Sequence, residues 1–196
     1  LMDIVVPVEE DVLTNFELEK GTMHLLDKEK LEAVSEKLDA TKLKMHPAGA
    51  CANTMMGLKD LGSSTYFVGK VGGKCEVGQY YAEKLNQKGV LLGLSFGEAH
   101  TGRVLSLVTP DSERTMLVHL GAAIELNQND VVEEDVPEAK FVYLTAYVLE
   151  DPVLREAALK MIGLCKAKGA KVAVDLADPS LISRVKELLL EIVKEH

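Results

Sequence analysis

The chain has 196 residues, of which 47% are hydrophobic, and 22 Lys and Arg against 31 Asp and Glu give a formal net charge of -9. This length and composition predict a folded domain with a substantial core and exclude a disordered chain. The acidic balance, without any block of Lys or Arg, argues against a nucleic-acid-binding surface, because phosphate binding depends mainly on clustered cations.

The three cysteines lie far apart and form no CxxC pair, which favours free thiols in a reducing compartment over a disulfide framework. The five histidines show no metal-ligand spacing, so no metal site is predicted. No apolar run reaches the roughly 18 residues that span a bilayer, and no basic segment followed by an apolar core opens the chain. We therefore expect a cytoplasmic protein that binds neither membranes nor nucleic acid.

The chain begins with short strands and a helix. Residues 2–8 form a short, β-branched apolar run that predicts a buried strand, and Asp3 is its acidic member. Asp3 either faces a polar pocket, since an unpaired buried acid is costly, or lies at a frayed, solvent-facing end. A second strand is expected over residues 21–26, and a helix over residues 28–38 with Asp27 as its N-cap.

A segment rich in small residues follows, over residues 48–78. Its glycines and alanines around Asn53 would let backbone amides approach a ligand closely. The Asn53 amide could offer a donor and an acceptor to a polyol, or it could simply cap the helix expected over residues 53–61. Neither GK[ST] nor GxGxxG occurs here, which argues against a P-loop and a dinucleotide fingerprint. A strand over residues 65–71 and a helix over residues 76–87 complete the segment.

Short strands predominate after this segment. Three are expected in succession, over residues 90–96, 102–109 and 114–119. Residues 110–113 join the last two as a hairpin turn, which makes these two strands antiparallel. Arg114 leaves that turn next to Glu113, so a solvated ion pair is the alternative to a binding role for Arg114.

The rest of the chain alternates strands and helices. Helices are expected after the caps Asn127 and Asp178 and over residues 152–168, and strands over residues 140–144 and 171–176. Asp175 ends the second strand, where ligands gather in open parallel sheets, with helix capping as its alternative role. This alternation predicts an α/β fold, with a mainly parallel sheet flanked by helices and a small antiparallel β element.

Four stretches, in this order, resemble the ribokinase-like (PfkB) family of sugar and nucleoside kinases, and especially its bacterial adenosine-kinase-like branch. They are residues 1–3, 48–54, 67–78 and 101–122. The resemblance implies that Asp3, Gly49 and Asn53 line a sugar pocket, and that Arg114 closes over the substrate or its phosphate. It also implies a β lid formed by about residues 3–26 and 90–120, through which a homodimer would form.

The resemblance covers essentially the whole chain as one α/β domain, residues 1–196, with some departures. Ala48 and Ala50 stand where the family has Gly and Ser, and the turn over residues 73–75 lacks the usual acidic residue. Family members run well beyond His196, and the parts that bind ATP and Mg²⁺ and supply the GxGD general base follow that point. None of the residues of this chain is therefore expected to be catalytic.

The function implied by the resemblance is an ATP-dependent sugar or nucleoside kinase, with an adenosine-type or other ribosyl acceptor favoured. This chain would carry the acceptor-binding and lid portion and would be inactive alone. A catalytically inactive ligand-binding or oligomerisation module of the same fold is the alternative if the gene ends at His196. A Rossmann-type dehydrogenase domain is a third hypothesis, and the absence of GxGxxG argues against it.

Overall fold

A computed structural model describes residues 1–195; His196 lies outside the described residues. Strands and helices alternate along the chain as the sequence predicts. The strands are β1 (Met2–Pro7), β2 (Met23–Leu25), β3 (Lys44–Pro47), β4 (Tyr66–Gly72), β5 (Leu91–Gly97), β6 (Thr101–Val108), β7 (Arg114–Gly121), β8 (Phe141–Thr145) and β9 (Lys171–Asp175). The α-helices are α1 (Glu10–Asn15), α2 (Lys28–Ser35), α3 (Ala50–Asp60), α4 (Glu76–Gln87), α5 (Pro152–Ala167) and α6 (Pro179–Glu195).

Side-chain caps explain why several helices begin where the sequence predicts. The Asp27 carboxylate accepts the Lys30 amide at the start of α2. The Asp151 carboxylate accepts two amides of the first turn of α5, next to Pro152. The Asp178 carboxylate accepts the Leu181 amide at 2.9 Å in α6. Each carboxylate accepts hydrogen bonds from amides that have no partner within the helix. Its negative charge also interacts favourably with the positive end of the helix dipole.

Three features differ from the sequence-based expectations. Helix α1 has six residues, which is too short to show a full apolar period. Strand β3 is mostly exposed and carries no apolar alternation, so only its pairing with β1 identifies it as a strand. Helix α3 starts at Ala50, three residues before the predicted start, because the small residues there enter the helix rather than remaining in the loop.

The chain divides into two compact units. Unit one comprises residues 1–49, 71–84 and 96–123. Its five-stranded sheet has the order β2-β7-β6-β1-β3. The expected hairpin is present, since β6 and β7 are antiparallel, whereas β1 runs parallel to β6 and β2 runs parallel to β7. The core of unit one joins these strands to α1 and α2, through the buried residues Val6, Val8, Leu13, Leu31, Val34, Leu105, Leu107 and Leu117.

Unit two comprises residues 50–70, 85–95 and 124 onward. Strands β8 and β9 are parallel, as expected for a βαβ crossover through α5. The core of unit two packs α5 and α6 around these strands, with Leu144, Ile162, Leu181 and Ile192 among its buried members. Strands β4 and β5 form a separate pair. The alternating βαβ pattern confirms the predicted α/β class.

Two features are absent from residues 1–195. No described helix combines the length and the apolar composition that crossing a membrane requires. The described residues also contain no cluster of three or more His, Cys, Asp or Glu side chains arranged to hold a metal ion.

Candidate functional site

Strand register defines a face of the unit-one sheet that we call the Asp3 face. Residues directly opposite one another on neighbouring strands project to the same side, and successive residues alternate. Ile4, Val6 and Leu105 therefore point to the side that packs against α1 and α2. The opposite side, the Asp3 face, carries one row formed by His46, Asp3, Val104, Val118 and Leu25, and a second row formed by Lys44, Val5, Ser106, Met116 and Met23.

Asp3 lies within the sheet and is not at a frayed end. Strand β1 is paired on both sides, so the Asp3 backbone stands between His46 of β3 and Val104 of β6. The Ser106 hydroxyl donates a hydrogen bond to Asp3 Oδ1 at 2.7 Å. Within residues 1–195 the second carboxylate oxygen, Oδ2, has no hydrogen-bond partner. The partly buried carboxylate is thus held at one oxygen and available at the other.

The loop that carries Gly49 lies at the same corner of the sheet as Asp3. The Ala48 amide donates to the Leu1 carbonyl at 2.9 Å, two residues before Asp3. The Ala48 carbonyl accepts the Tyr81 hydroxyl at 3.1 Å, and Tyr81 is only 1% exposed. Gly49 has a φ of 106°, which a residue with a Cβ rarely adopts. Unit one therefore brings Asp3 and Gly49 together.

Asn53 belongs to unit two and lies in the first turn of α3, where its side chain is exposed. Because the helix starts at Ala50, Asn53 is inside the helix and cannot be its N-cap. The capping alternative for the Asn53 amide is therefore excluded. Its proposed contact with a sugar stays a prediction.

Arg114 lies on the Asp3 face but away from Asp3. It pairs with Val108, which pairs with Pro7, and Pro7 is four residues along β1 from Asp3. At about 3.3 Å per residue this is about 13 Å along the strand. The exposed Arg114 guanidinium contacts the Met116 sulfur at 3.5 Å. The structure does not bring Arg114 together with Asp3 and Gly49, and its binding role stays a prediction.

Sequence reasoning missed two residues that support this corner. Ser106 is fully buried, and it is the one hydroxyl in the apolar run of β6 over residues 104–108. That break in an otherwise apolar strand, with a similar break at Asp3, is a signal that could have linked the two. Tyr81 gave no comparable signal, because an aromatic residue inside an amphipathic helix usually belongs to the core.

A second polar group lies in unit two, at the carboxyl ends of β8 and β9. Tyr143 donates its hydroxyl to Asp175 Oδ2 at 3.0 Å, and Asp175 Oδ1 accepts the Ala177 amide at 3.0 Å. Burial, followed by the nearby Asp175 carboxylate, raises the pKa of Tyr143. Asp178 caps α6, so Asp175 is not the cap of that helix. A binding role for Asp175 stays a prediction.

Cys51, which lies near the start of α3, is also in unit two. Burial is the main cause that raises the pKa of its thiol, and the negative charge of Asp175 adds to this effect. The raised pKa keeps the thiol protonated at neutral pH. A protonated thiol is a poor nucleophile, so packing accounts better than reactivity for the partly buried Cys51.

Comparison with known proteins identifies the family. The sequence profile of the pfkB family carbohydrate kinases matches residues 22–195. The adenosine kinase of Sinorhizobium meliloti superposes with a TM-score of 0.86 at 26% identity, over 98% of this chain and 58% of that one. A probable sugar kinase protein of Rhizobium etli CFN 42 gives a TM-score of 0.87 at 26% identity, over 97% and 58% of the two chains.

A curated relative supports the same assignment. The 5-dehydro-2-deoxygluconokinase of Clostridium botulinum is 28% identical over 146 residues, which are 68% of this chain and 40% of that protein. The chain thus spans about two fifths of the length of that relative. The structural likeness confirms the predicted ribokinase-like α/β fold. Because the family profile matches nearly all of its residues, the chain belongs to the pfkB family of carbohydrate kinases.

Proposed function

We propose that the protein containing this chain is a kinase that transfers a phosphoryl group from ATP to an alcohol group of a sugar or nucleoside. In this proposal the chain binds the acceptor. Membership of the pfkB family supports the reaction class. The observation that carries the acceptor role is the Asp3 carboxylate, which is partly buried beside the Gly49 loop with Oδ2 unpaired within residues 1–195.

The chemistry of this corner suits hydroxyl groups. A carboxylate accepts hydrogen bonds only, and its two oxygens can receive the donors of a diol. Gly49 adds no side chain, so a ligand can approach the backbone there closely. These are the contacts that a polyol needs.

The surroundings of Asp3 favour a nucleoside over a free hexose. Next to Asp3, its row on the Asp3 face continues with Val104, Val118 and Leu25, all of them apolar. A nucleobase could cover the partly exposed Val104 and the exposed Leu25 while its ribose reaches Asp3, and Val118 between them is already buried. The hydroxyls of a hexose laid across them would lose water without gaining partners, which is unfavourable. We therefore propose adenosine or another ribosyl compound as the acceptor.

Other parts of the proposal rest on the family resemblance. Asn53 would add an amide contact to the sugar, and Arg114 would approach substrate or phosphate by movement of its strand end. Strands β2, β6 and β7 would serve as the lid and as a dimer contact. Phosphoryl transfer depends on positioning and on charge stabilisation by a metal ion. The family resemblance implies that ATP and Mg²⁺ would be held by residues of the longer protein outside this chain.

The proposal is tested with the full-length protein, ATP and Mg²⁺ against a panel of nucleosides and sugars. ADP release with a ribosyl acceptor is expected, and Asp3→Asn should raise the acceptor KM because Asn offers one acceptor oxygen instead of two. Absence of ADP release across the whole panel would overturn the proposal. Acceptor binding by calorimetry without turnover would support the catalytically inactive module instead.

A further inference from the structure

We infer that Ser106 is a positioning residue for the acceptor: its hydroxyl fixes the Asp3 carboxylate so that Oδ2 is presented to the hydroxyl groups of the substrate. This inference rests on the proposed function, because it assumes that Asp3 binds the acceptor. It adds a residue from β6 to a binding role that the family resemblance assigns to β1 and the Gly49 loop.

The register of the sheet produces the contact. Strand β6 runs parallel to β1, Val104 lies directly beside Asp3, and Ser106 is two residues further along on the same face. The Ser106 hydroxyl reaches back across the strands to Asp3 Oδ1 at 2.7 Å. This distance is typical of a hydroxyl donating to a charged carboxylate, which is among the stronger hydrogen bonds in proteins.

The burial of Ser106 limits the partners that its hydroxyl can bind. Ser106 is 0% exposed, so within the described chain water does not compete for its hydroxyl. The other residues of the run 104–108 are all apolar, so packing alone does not call for a hydroxyl at position 106. A buried hydroxyl without a partner is costly, and Asp3 is the partner of Ser106 within residues 1–195. The Ser106 hydroxyl is therefore best explained as a hydrogen-bond donor to the Asp3 carboxylate.

The consequence for binding is orientation. The terminal torsion of an aspartate is broad, so an unrestrained carboxylate samples many orientations. One short hydrogen bond to Oδ1 fixes the plane of the group and leaves Oδ2 in a defined place. A group that is oriented before the ligand arrives binds more tightly, because less freedom is lost on binding. Removing the Ser106 hydroxyl should therefore weaken acceptor binding more than it changes the chemical step.

The experiment uses the full-length protein with ATP and the acceptor that it phosphorylates best. We compare the wild type with Ser106→Ala, Ser106→Thr, Asp3→Ala and the double variant that combines Ser106→Ala with Asp3→Ala. Thr115→Val is the matched control. Thr115 is 1% exposed and lies in the same sheet, but its hydroxyl accepts the Gly21 amide and not a site residue.

The inference predicts a specific pattern. Ser106→Ala should raise the acceptor KM roughly tenfold with kcat nearly unchanged, which is the loss expected for one hydrogen bond to a charged group. Ser106→Thr, which keeps the hydroxyl, should recover most of the loss. In the Asp3→Ala background, Ser106→Ala should change nothing further, because the two residues act as one unit. Thr115→Val should leave KM unchanged.

Other results would overturn the inference. An unchanged KM for Ser106→Ala, or an equal additional loss in the Asp3→Ala background, would show that Ser106 only stabilises the fold. If Ser106→Ala does not fold, Ser106→Cys keeps the volume with a weaker donor, and its KM must then lie above the wild-type value. A wild-type protein without turnover refutes the proposed function itself, and calorimetry of adenosine binding to wild type and Ser106→Ala then tests Ser106 separately.

Discussion

Tyr81 shows how one residue inside a helix can hold a binding loop. Its ring is buried in unit one, and its hydroxyl donates to the carbonyl of Ala48, immediately before Gly49. The Ala48 amide is also bonded, to the Leu1 carbonyl. Both backbone groups of Ala48 are therefore occupied, and the next residue, Gly49, has a φ of 106°.

The first prediction is that Tyr81→Phe loosens this loop. The substitution keeps the ring and removes the hydroxyl, leaving the partly buried Ala48 carbonyl with one hydrogen-bond partner fewer, so the free energy of unfolding should fall by about 1 kcal/mol. Adenosine binding to the full-length protein should weaken as well, because the Gly49 loop would be less ordered before binding. Urea unfolding and calorimetry measure the two effects.

Tyr80→Phe is the control for that experiment. Tyr80 precedes Tyr81 in α4, and its ring stacks under the Lys84 ammonium at 5.3 Å, a contact that a phenylalanine ring preserves. We expect neither stability nor binding to change with Tyr80→Phe. An equal loss in both variants would show that the Tyr81 hydroxyl has no particular role.

At the scale of the elements, two helical glycines differ in how closely other atoms approach them. Gly78 lies in the first turn of α4, and a Cβ built there would stand 2.4 Å from the Gly72 carbonyl oxygen and 2.8 Å from the Thr101 hydroxyl. Helix α4 can approach the end of β4 this closely only without a side chain at position 78. Gly163 in α5, in contrast, has nothing within 4 Å of its would-be Cβ.

The second prediction uses this contrast. Gly78→Ala should destabilise the protein, because backbone atoms must move to relieve the clash. Gly163→Ala should stabilise it by about 0.5–1 kcal/mol, since alanine restricts the unfolded chain and favours a helix. The midpoints of urea unfolding, followed by circular dichroism at 222 nm, measure both changes. Opposite signs are expected, and a neutral Gly78→Ala would refute the close approach of α4.

For the whole molecule, local chemistry determined what the sequence could predict. Helices α2 and α6 could be placed because Asp27 and Asp178 form caps that recur in many proteins, and α5 could be placed because its sequence is amphipathic. Strand β3 could not be placed, because only its pairing with β1 makes it a strand. The class of the fold followed from the spacing of the elements, while the five-stranded order of unit one depended on pairing between distant segments.

The same contrast between local features and long-range pairing applies to the candidate site. Asp3 and Gly49 were selected from the sequence by their resemblance to a known pattern, and the structure brings them to one corner of the sheet. Ser106 was missed because its contact with Asp3 spans 103 positions and depends on the register of two parallel strands. Arg114 was selected by pattern as well, yet the register sets it two rows from Asp3, which no local feature reveals.

Paired carboxylates also determine how the stability of the molecule responds to acid. Lys70 and Asp130 form a largely buried ion pair in unit two, with Nζ 2.9 Å from Oδ2, and the Asn127 amide donates to the same oxygen at 2.9 Å. Burial would raise the pKa of Asp130, but the hydrogen bonds from Lys70 and Asn127 outweigh it and hold that pKa below its ordinary value. At the surface, a hydrogen bond from Lys20 lowers the pKa of Asp111 to about 2.

The third prediction concerns stability against pH. A carboxyl group whose pKa is lower in the folded state stabilises the fold above its unfolded pKa, about 3.9 for aspartate, and loses this contribution as pH falls through the folded pKa. The free energy of unfolding should therefore change little near neutral pH from this cause and decline from about pH 4 towards pH 2.

Asp130→Asn should flatten that decline, because the buried group no longer takes up a proton. Asp111→Asn should flatten it as well, although solvent screening of this exposed pair reduces its contribution. Urea unfolding from pH 6 to pH 2.5 measures the slopes, and an Asp130→Asn slope equal to that of the wild type would contradict the assignment.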